Sequence, residues 1–318
     1  MIEMDNILIK TLIDNTAATP FVMAEWGLSI FIKVGEKNIL FDTGAGNSQV
    51  LLHNMKAMDV DPKEIDLLVL SHGHQDHTGG LRPFFENLYY KNKDKKIDVI
   101  SHPAALRPEY VKGIGNFGCP YTKEELMKFG ARFKLTKDPT WITDDIITSG
   151  EVPMTNDYEK VGKAFYREAG DESVPNKNII NDEEILGFKP VDKNFVQDEE
   201  LIDDQAIFLK TELGLIIILG CAHRGTINTI SHAQEVTGMD KVYMVIGGTH
   251  TSGVSEYRMN STIEKLKRLN VRKVGVSHCT GSVSGCILSS SLRKDVFFHN
   301  NAGSVIRFDN NKLKVNEF

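Results

Sequence analysis

The stretch Ser71-His72-Gly73-His74-Gln75-Asp76-His77-Thr78-Gly79-Gly80 places three imidazoles and a carboxylate within six positions. Imidazole and carboxylate are borderline ligands suited to zinc, iron or manganese. A glycine at 73 leaves the backbone free to bend, so that His72 and His74 converge on one ion while the adjacent Asp76 and His77 reach a second. The bland alternative is a set of surface histidines in a loop. Their density, directly after an apolar strand, argues against it. Three further segments end apolar runs in possible ligands: Gly220-Cys221-Ala222-His223, Gly247-Gly248-Thr249-His250 and Ser277-His278-Cys279-Thr280-Gly281. A histidine satisfied by core hydrogen bonds is the competing reading for His223 and His278.

These residues need a scaffold that ends several strands at one place. Residues 66–70 lack polar alternation and read as a strand buried on both faces, and 215–219 reads the same way. Before the histidine cluster, strands are expected at 7–13, 27–34 and 38–41, with Gly35-Glu36-Lys37 as a hairpin turn. Val50, Leu51, Met55 and Met58 recur at helical spacing, and Pro62 blocks extension of that helix. In the last third, strands at 205–210, 215–219, 241–246, 273–276 and 304–308 alternate with helices. One helix carries Ile227, Ile230 and Ala233 and ends at Gly238, and another is expected to start at the capping-box pattern Ser261-Thr262-Ile263-Glu264. This rhythm predicts an α/β fold in which two sheets are covered by outer helices, an αββα sandwich. A single domain over 1–318 is expected. Within it, the polar and irregular stretch 139–203 reads as a lid or covering insertion over the metal cleft.

Composition narrows the partners. The chain has 318 residues, 41% of them hydrophobic and 25% charged, as expected of a folded globular protein. A net charge of −6, without an accompanying Lys- or Arg-rich tract, disfavours nucleic acid as partner and nuclease as activity. No apolar run reaches the roughly 18 to 20 residues that span a bilayer, and residues 1–10 do not read as a signal peptide. The chain is expected to be cytoplasmic and to act on a small molecule. Its four cysteines show no C-x-x-C spacing and read as reduced, Cys119 and Cys286 as small buried side chains.

His-x-His-x-Asp-His after a hydrophobic strand resembles the signature of the metallo-β-lactamase superfamily. Ile39-Leu40-Phe41-Asp42-Thr43-Gly44 is similar to the strand preceding that motif in the superfamily. The resemblance implies the αββα fold and one or two divalent transition-metal ions, zinc first, with manganese or iron as alternatives. It implies that His72, His74 and His223 hold one ion and that Asp76, His77 and His278 hold the other. Asp42 would orient a ligand histidine by hydrogen bond, unless it merely caps a turn with Gly44. Asp76 and His250 are the candidates for a direct part in turnover, His250 as ligand, acid or substrate contact. Two departures stand out: Asp203 and Asp204 occupy a place where many members carry a histidine, and Gly220-Cys221 replaces a usual bridging aspartate. Cys221 is therefore either a thiolate ligand or an inert neighbour of His223, and the two present competing choices at one strand end.

Glu25-Trp26-Gly27-Leu28-Ser29 together with the motifs above resembles the subgroup related to dihydropteroate synthase. An archaeal branch of that subgroup joins a dihydropterin methyl diphosphate to a ribofuranosylaminobenzene phosphate. Hydrolysis of a phosphate or other ester by metal-activated water is placed ahead of such a transfer, because a metal-bound hydroxide attacks esters readily. A non-catalytic metal-binding or sensor module is the third reading. Diiron redox chemistry is disfavoured, because proteins of that kind usually carry Glu where His74 stands.

Overall fold

A computed structural model of the chain describes residues 1–169, the backbone of 179–181, and residues 194–315. One sheet has eight strands, in the order Lys312–Val315, Val305–Asp309, Ile7–Ile13, Ser29–Val34, Lys37–Phe41, Leu67–Val69, Ile97–Ser101 and Ala131–Leu135. The second has seven, in the order Phe297–His299, Lys273–Ser277, Val242–Gly248, Gly214–Leu219, Ala206–Thr211, Ile146–Thr148 and Thr140–Thr143.

Strands buried on both faces explain the unbroken apolar runs. Ile216 and Ile218 point inward, packing with Ile7, Ile9, Ile30, Ile39 and Phe41 of the other sheet. Leu215, Ile217 and Leu219 point outward onto Ile227 and Ile230 of the helix Thr226–Thr237 and Ile263 of the helix Glu256–Arg268. On the opposite side, Leu67 and Val69 join the core between the sheets. Leu68 packs outward with Leu51 of Val50–Ala57 and Phe84 of Leu81–Lys91. The expected αββα sandwich is therefore the fold.

Lys37–Phe41 runs parallel to Leu67–Val69, and Gly214–Leu219, Val242–Gly248 and Lys273–Ser277 are mutually parallel. Asp42, the 71–77 loop, Cys221 with His223, His250 and His278 each follow the carboxyl end of one of these strands. Open α/β sheets place their ligand sites at such ends. The backbone turns sharply there: Asp42, Ala222, His250 and His278 all have positive φ (60°, 50°, 44° and 49°) without being glycine. Strain of this kind gathers at functional sites.

Three expectations change. The helix expected to begin at Ser261 begins at Glu256, where the Ser255 hydroxyl accepts from Arg258 N at 3.2 Å, so Ser261 and Glu264 lie inside it. Ser261 is half-buried and Glu264 exposed, so their spacing is an i, i+3 pair inside a helix already under way. Cys286 is exposed rather than buried. The stretch 139–203 is not irregular throughout, since Thr140–Thr143 and Ile146–Thr148 pair into the second sheet. Beyond them, Ile179–Asn181, Asn194–Gln197 and Phe165–Glu168 form a third sheet with Tyr110–Val111 and Gly115–Asn116. The parts of the expected lid at 170–178 and 182–193 lie outside the described residues. Among the described residues no helix is long and apolar enough to cross a membrane.

Candidate metal centre

The first ligand set forms around His72. Its Nε2 lies 2.9 Å from His74 Nδ1 and 3.3 Å from His223 Nε2, and all three side chains are buried. Burial, followed for His72 and His223 by neighbouring imidazoles, pushes these histidines below their ordinary pKa, so they are neutral. Neutral imidazoles turning ring nitrogens toward one point are a poor mutual match without a cation. A tetrahedral zinc with bonds of ~2.0–2.1 Å holds its ligand atoms roughly 3.3 Å apart, close to the two distances from His72.

Hydrogen bonds behind the rings select the tautomers. Asp42 accepts from Ser71 N at 2.7 Å and Ser71 Oγ at 2.6 Å. With its hydrogen given to Asp42, the Ser71 hydroxyl accepts from His72 Nδ1 at 2.8 Å, leaving the His72 Nε2 lone pair for the centre. Asp42 Oδ2 also accepts from His77 Nδ1 at 2.6 Å. Glu109 Oε2 stands 3.0 Å from His74 Nε2, and burial, then Asp198, raises the Glu109 carboxyl to about 8.

The second set adds charge. Asp76 Oδ2 lies 3.2 Å from His278 Nε2, and Asp76 Oδ1 lies 3.9 Å from His77 Nε2 with no hydrogen-bond partner among the described residues. Burial opposes ionisation of Asp76, but His77 and His278 outweigh it and hold the carboxyl below the usual range. Burial lowers His278 as well, yet its bond to Asp76 prevails and raises it to about 9. Asn15 Oδ1 accepts from His278 Nδ1 at 2.8 Å, turning Nε2 inward. Cys221 Sγ lies 3.1 Å from His77 Nε2.

Two groupings match those expected: His72, His74 and His223 converge, as do Asp76, His77 and His278, with ligand atoms in each group within 4.8 Å of one another. Cys221 and His223 fall in different groupings. The positive φ of Ala222 breaks the strand alternation between them, sending His223 to the first set and Cys221 toward His77 and the second. Cys221 lies between the sets, grouping with His72 and His77 and also with His278 and Cys279. His250 joins neither histidine set and lies beside them, its ring tilted 40° to that of His223 with centroids 4.1 Å apart. Asp203 and Asp204 turn instead to backbone, accepting from Gly73 N at 2.8 Å and Arg224 N at 2.9 Å. Gly73 is required for a different reason than bending freedom, since an added Cβ would lie 2.4 Å from Ala105 O.

Asn15, Glu109 and Phe165 were missed. Phe165 lies nearly parallel to His74, centroids 5.1 Å apart, and edge-on to His223 at 4.8 Å. Only Asn15 carried a signal, its place just past the end of the buried strand Ile7–Ile13. Glu159 was missed as well: it accepts from Ile227 N and Asn228 N at 2.9 and 2.8 Å, anchoring the helix that starts three residues after His223.

The sandwich and its strand-end histidines agree with the sequence comparisons, in which residues 27–92 match the family described as the metallo-beta-lactamase superfamily. The chain belongs to that superfamily. It is 32% identical over 318 residues to the 7,8-dihydropterin-6-methyl-4-(beta-D-ribofuranosyl)-aminobenzene-5'-phosphate synthase of Methanocaldococcus jannaschii, spanning 96% of this chain and 98% of that protein. Among solved structures, Tm1679, a metal-dependent hydrolase of the beta-lactamase superfamily, aligns with a TM-score of 0.73 at 23% identity over 96% of this chain and all of that one (100%). Zinc-bound PqqB from Methylobacterium extorquens aligns with a TM-score of 0.51 at 11% identity, over 95% and 100%. These structures bear on the fold, whose members typically bind divalent metals. The relative named above, aligned over nearly its whole length, is a synthase, which favours the transfer reading over ester hydrolysis.

Proposed function

We propose that this chain is a metal-dependent synthase that joins a dihydropterin methyl diphosphate to a ribofuranosylaminobenzene phosphate. The observation that supports it over ester hydrolysis is the near-complete alignment with a synthase of that name. In the reaction a carbon–nitrogen bond forms at the pterin methylene while its carbon–oxygen bond to diphosphate breaks. The electron pair leaves with diphosphate, and the amine gives up a proton.

His72, His74 and His223 would hold one ion, and Asp76, His77 and His278 the other, with Cys221 beside the second set. Bound metal supplies Lewis acidity toward the diphosphate oxygens. The donor set favours zinc, because a thiol near the second set suits it better than manganese. Asp42, through His77 directly and through Ser71 to His72, keeps both sets aimed. His250, pushed down to about 3 by burial and then by Arg258, is a neutral imidazole beside the two sets, able to orient the incoming amine or a phosphate oxygen. Phe165 covers the His74 side and limits water there.

The test offers the metal-loaded enzyme both substrates and, separately, a panel of phosphate and other esters. Catalytic efficiency for carbon–nitrogen bond formation should exceed that for every ester and vanish in His72→Ala. Faster hydrolysis of an ester, with no coupled product, would return the reading to hydrolase.

A further inference from the structure

We propose that Trp26 is the stacking platform for the dihydropterin ring of the substrate. The inference rests on the synthase reading for the identity of the ring and adds the residue that grips it.

Trp26 is 64% exposed, although an indole is among the largest apolar surfaces a protein can bury. Its ring stands edge-on to His278, centroids 5.8 Å apart and planes at 71°. The other tryptophan, Trp141, is also exposed, but its ring carries the Lys210 ammonium at 5.2 Å from the centroid. Trp26 thus presents an open aromatic surface beside a histidine of the second set.

The backbone around it is pinned to that same set. Gly27 N donates at 3.1 Å to Asn15 Oδ1, the oxygen that also receives His278 Nδ1. Leu28 N donates to Asp76 O at 3.2 Å, and Glu25 N donates to Asp14 O at 3.2 Å. The Glu25 carboxylate accepts from Ala45 N and Asn47 N at 3.1 and 3.0 Å. Gly27 has φ +154°, and a Cβ there would lie 2.4 Å from Asp76 O. The chain is therefore drawn against the Asp76 loop more closely than a side chain allows, and the neighbours of Trp26 on both sides are held. An aromatic surface placed this way offers stacking with little ordering cost on binding. Phe21, exposed nearby, lines a different groove with Lys10, Met58 and Arg307 and does not share this position.

A two-ring dihydropterin matches the indole in area, whereas the one-ring acceptor leaves half of it uncovered. Stacking of a heterocycle on an aromatic side chain is strong enough to change affinity about tenfold.

The experiment uses the metal-loaded enzyme and its Trp26→Ala, Trp26→Phe and Phe21→Ala variants. Trp26→Ala should raise the KM for the dihydropterin methyl diphosphate about tenfold, leaving metal content and the acceptor KM unchanged. Trp26→Phe should recover most of that loss, and Phe21→Ala should match the parent. In a Trp141→Phe background, where Trp26 is the sole indole of the original two, the dihydropterin diphosphate should quench fluorescence and inorganic diphosphate should not. An unchanged KM in Trp26→Ala, or an equal loss in Trp26→Phe, would overturn the platform. Absence of coupled product in the parent enzyme would reject the synthase reading instead, and the quenching titration would then decide for or against the platform.

Discussion

The two ligand sets share one loop but differ in how they are stabilised. His72, His74 and His223 bring three neutral imidazoles together with no anion among them, with Ser71 bonded behind His72 and the Glu109 carboxyl 3.0 Å from His74 Nε2. Asp76, His77 and His278 contain their own compensation, because Asp76 and His278 form a buried ion pair at 3.2 Å. The first set therefore depends on a cation for its cohesion, and the second has an internal substitute in a proton that any cation must displace. Buried ion pairs of this kind lose most when one partner is removed.

The largest expected effects come from removing ligands of one set at a time. His223→Ala should empty the first set and leave metal in the second, with activity falling beyond the roughly 100-fold that loss of a supporting hydrogen bond costs. Asp76→Ala combined with His77→Ala should do the reverse. Metal analysis beside turnover checks both, and full occupancy with full activity in the double variant would break the assignment. Cys221→Ser should perturb the second set alone. Loss of the first ion in that variant would return Cys221 to the role given to His223.

A smaller effect separates the braces. Asp42 touches His77 directly and His72 through Ser71, so Asp42→Asn should weaken both ions, by about 10- to 100-fold in affinity. Of the six histidine and aspartate ligands Asn15 touches His278 alone, so Asn15→Ala should weaken the second ion and spare the first. Equal weakening of both ions by the two variants would erase the distinction between the sets.

The smallest effect is on the stability of chelator-treated protein as pH changes. His278 is raised to about 9, so its contribution is complete below the ordinary histidine value near 6.5 and is lost as pH rises through about 9. His72 and His223 are lowered, so they contribute above about 6.5 and the contribution disappears as pH falls. Glu109, raised to about 8, and Asp204, raised to about 7, act in the same direction as His278, so variants are needed to separate them. Chemical denaturation should show His278→Gln flattening the alkaline limb and His223→Gln the acidic limb. Identical limbs in both variants would contradict the two electrostatic characters.

The 71–77 cluster and the strand before it were legible because both are local. Four ligands in six positions need only one bend to converge, and a strand buried on both faces announces itself as unbroken apolar sequence. Asp42 was legible for the same reason, standing one residue beyond the strand Lys37–Phe41. Local pattern misled at Cys221 and His223, where strand alternation predicts a shared face and the positive φ of Ala222 removes it. It also misplaced the start of the helix Glu256–Arg268, since the same i, i+3 spacing occurs at a cap and inside a helix. Asn15 reaches His278 across 263 positions, and Cys221 reaches His77 across 144. Such contacts depend on which strands lie side by side and where each one ends. Residue types allow a ligand, a brace or a bystander at those positions, and only the packing of the two sheets brings a particular nitrogen, oxygen or sulfur within bonding distance of its partner.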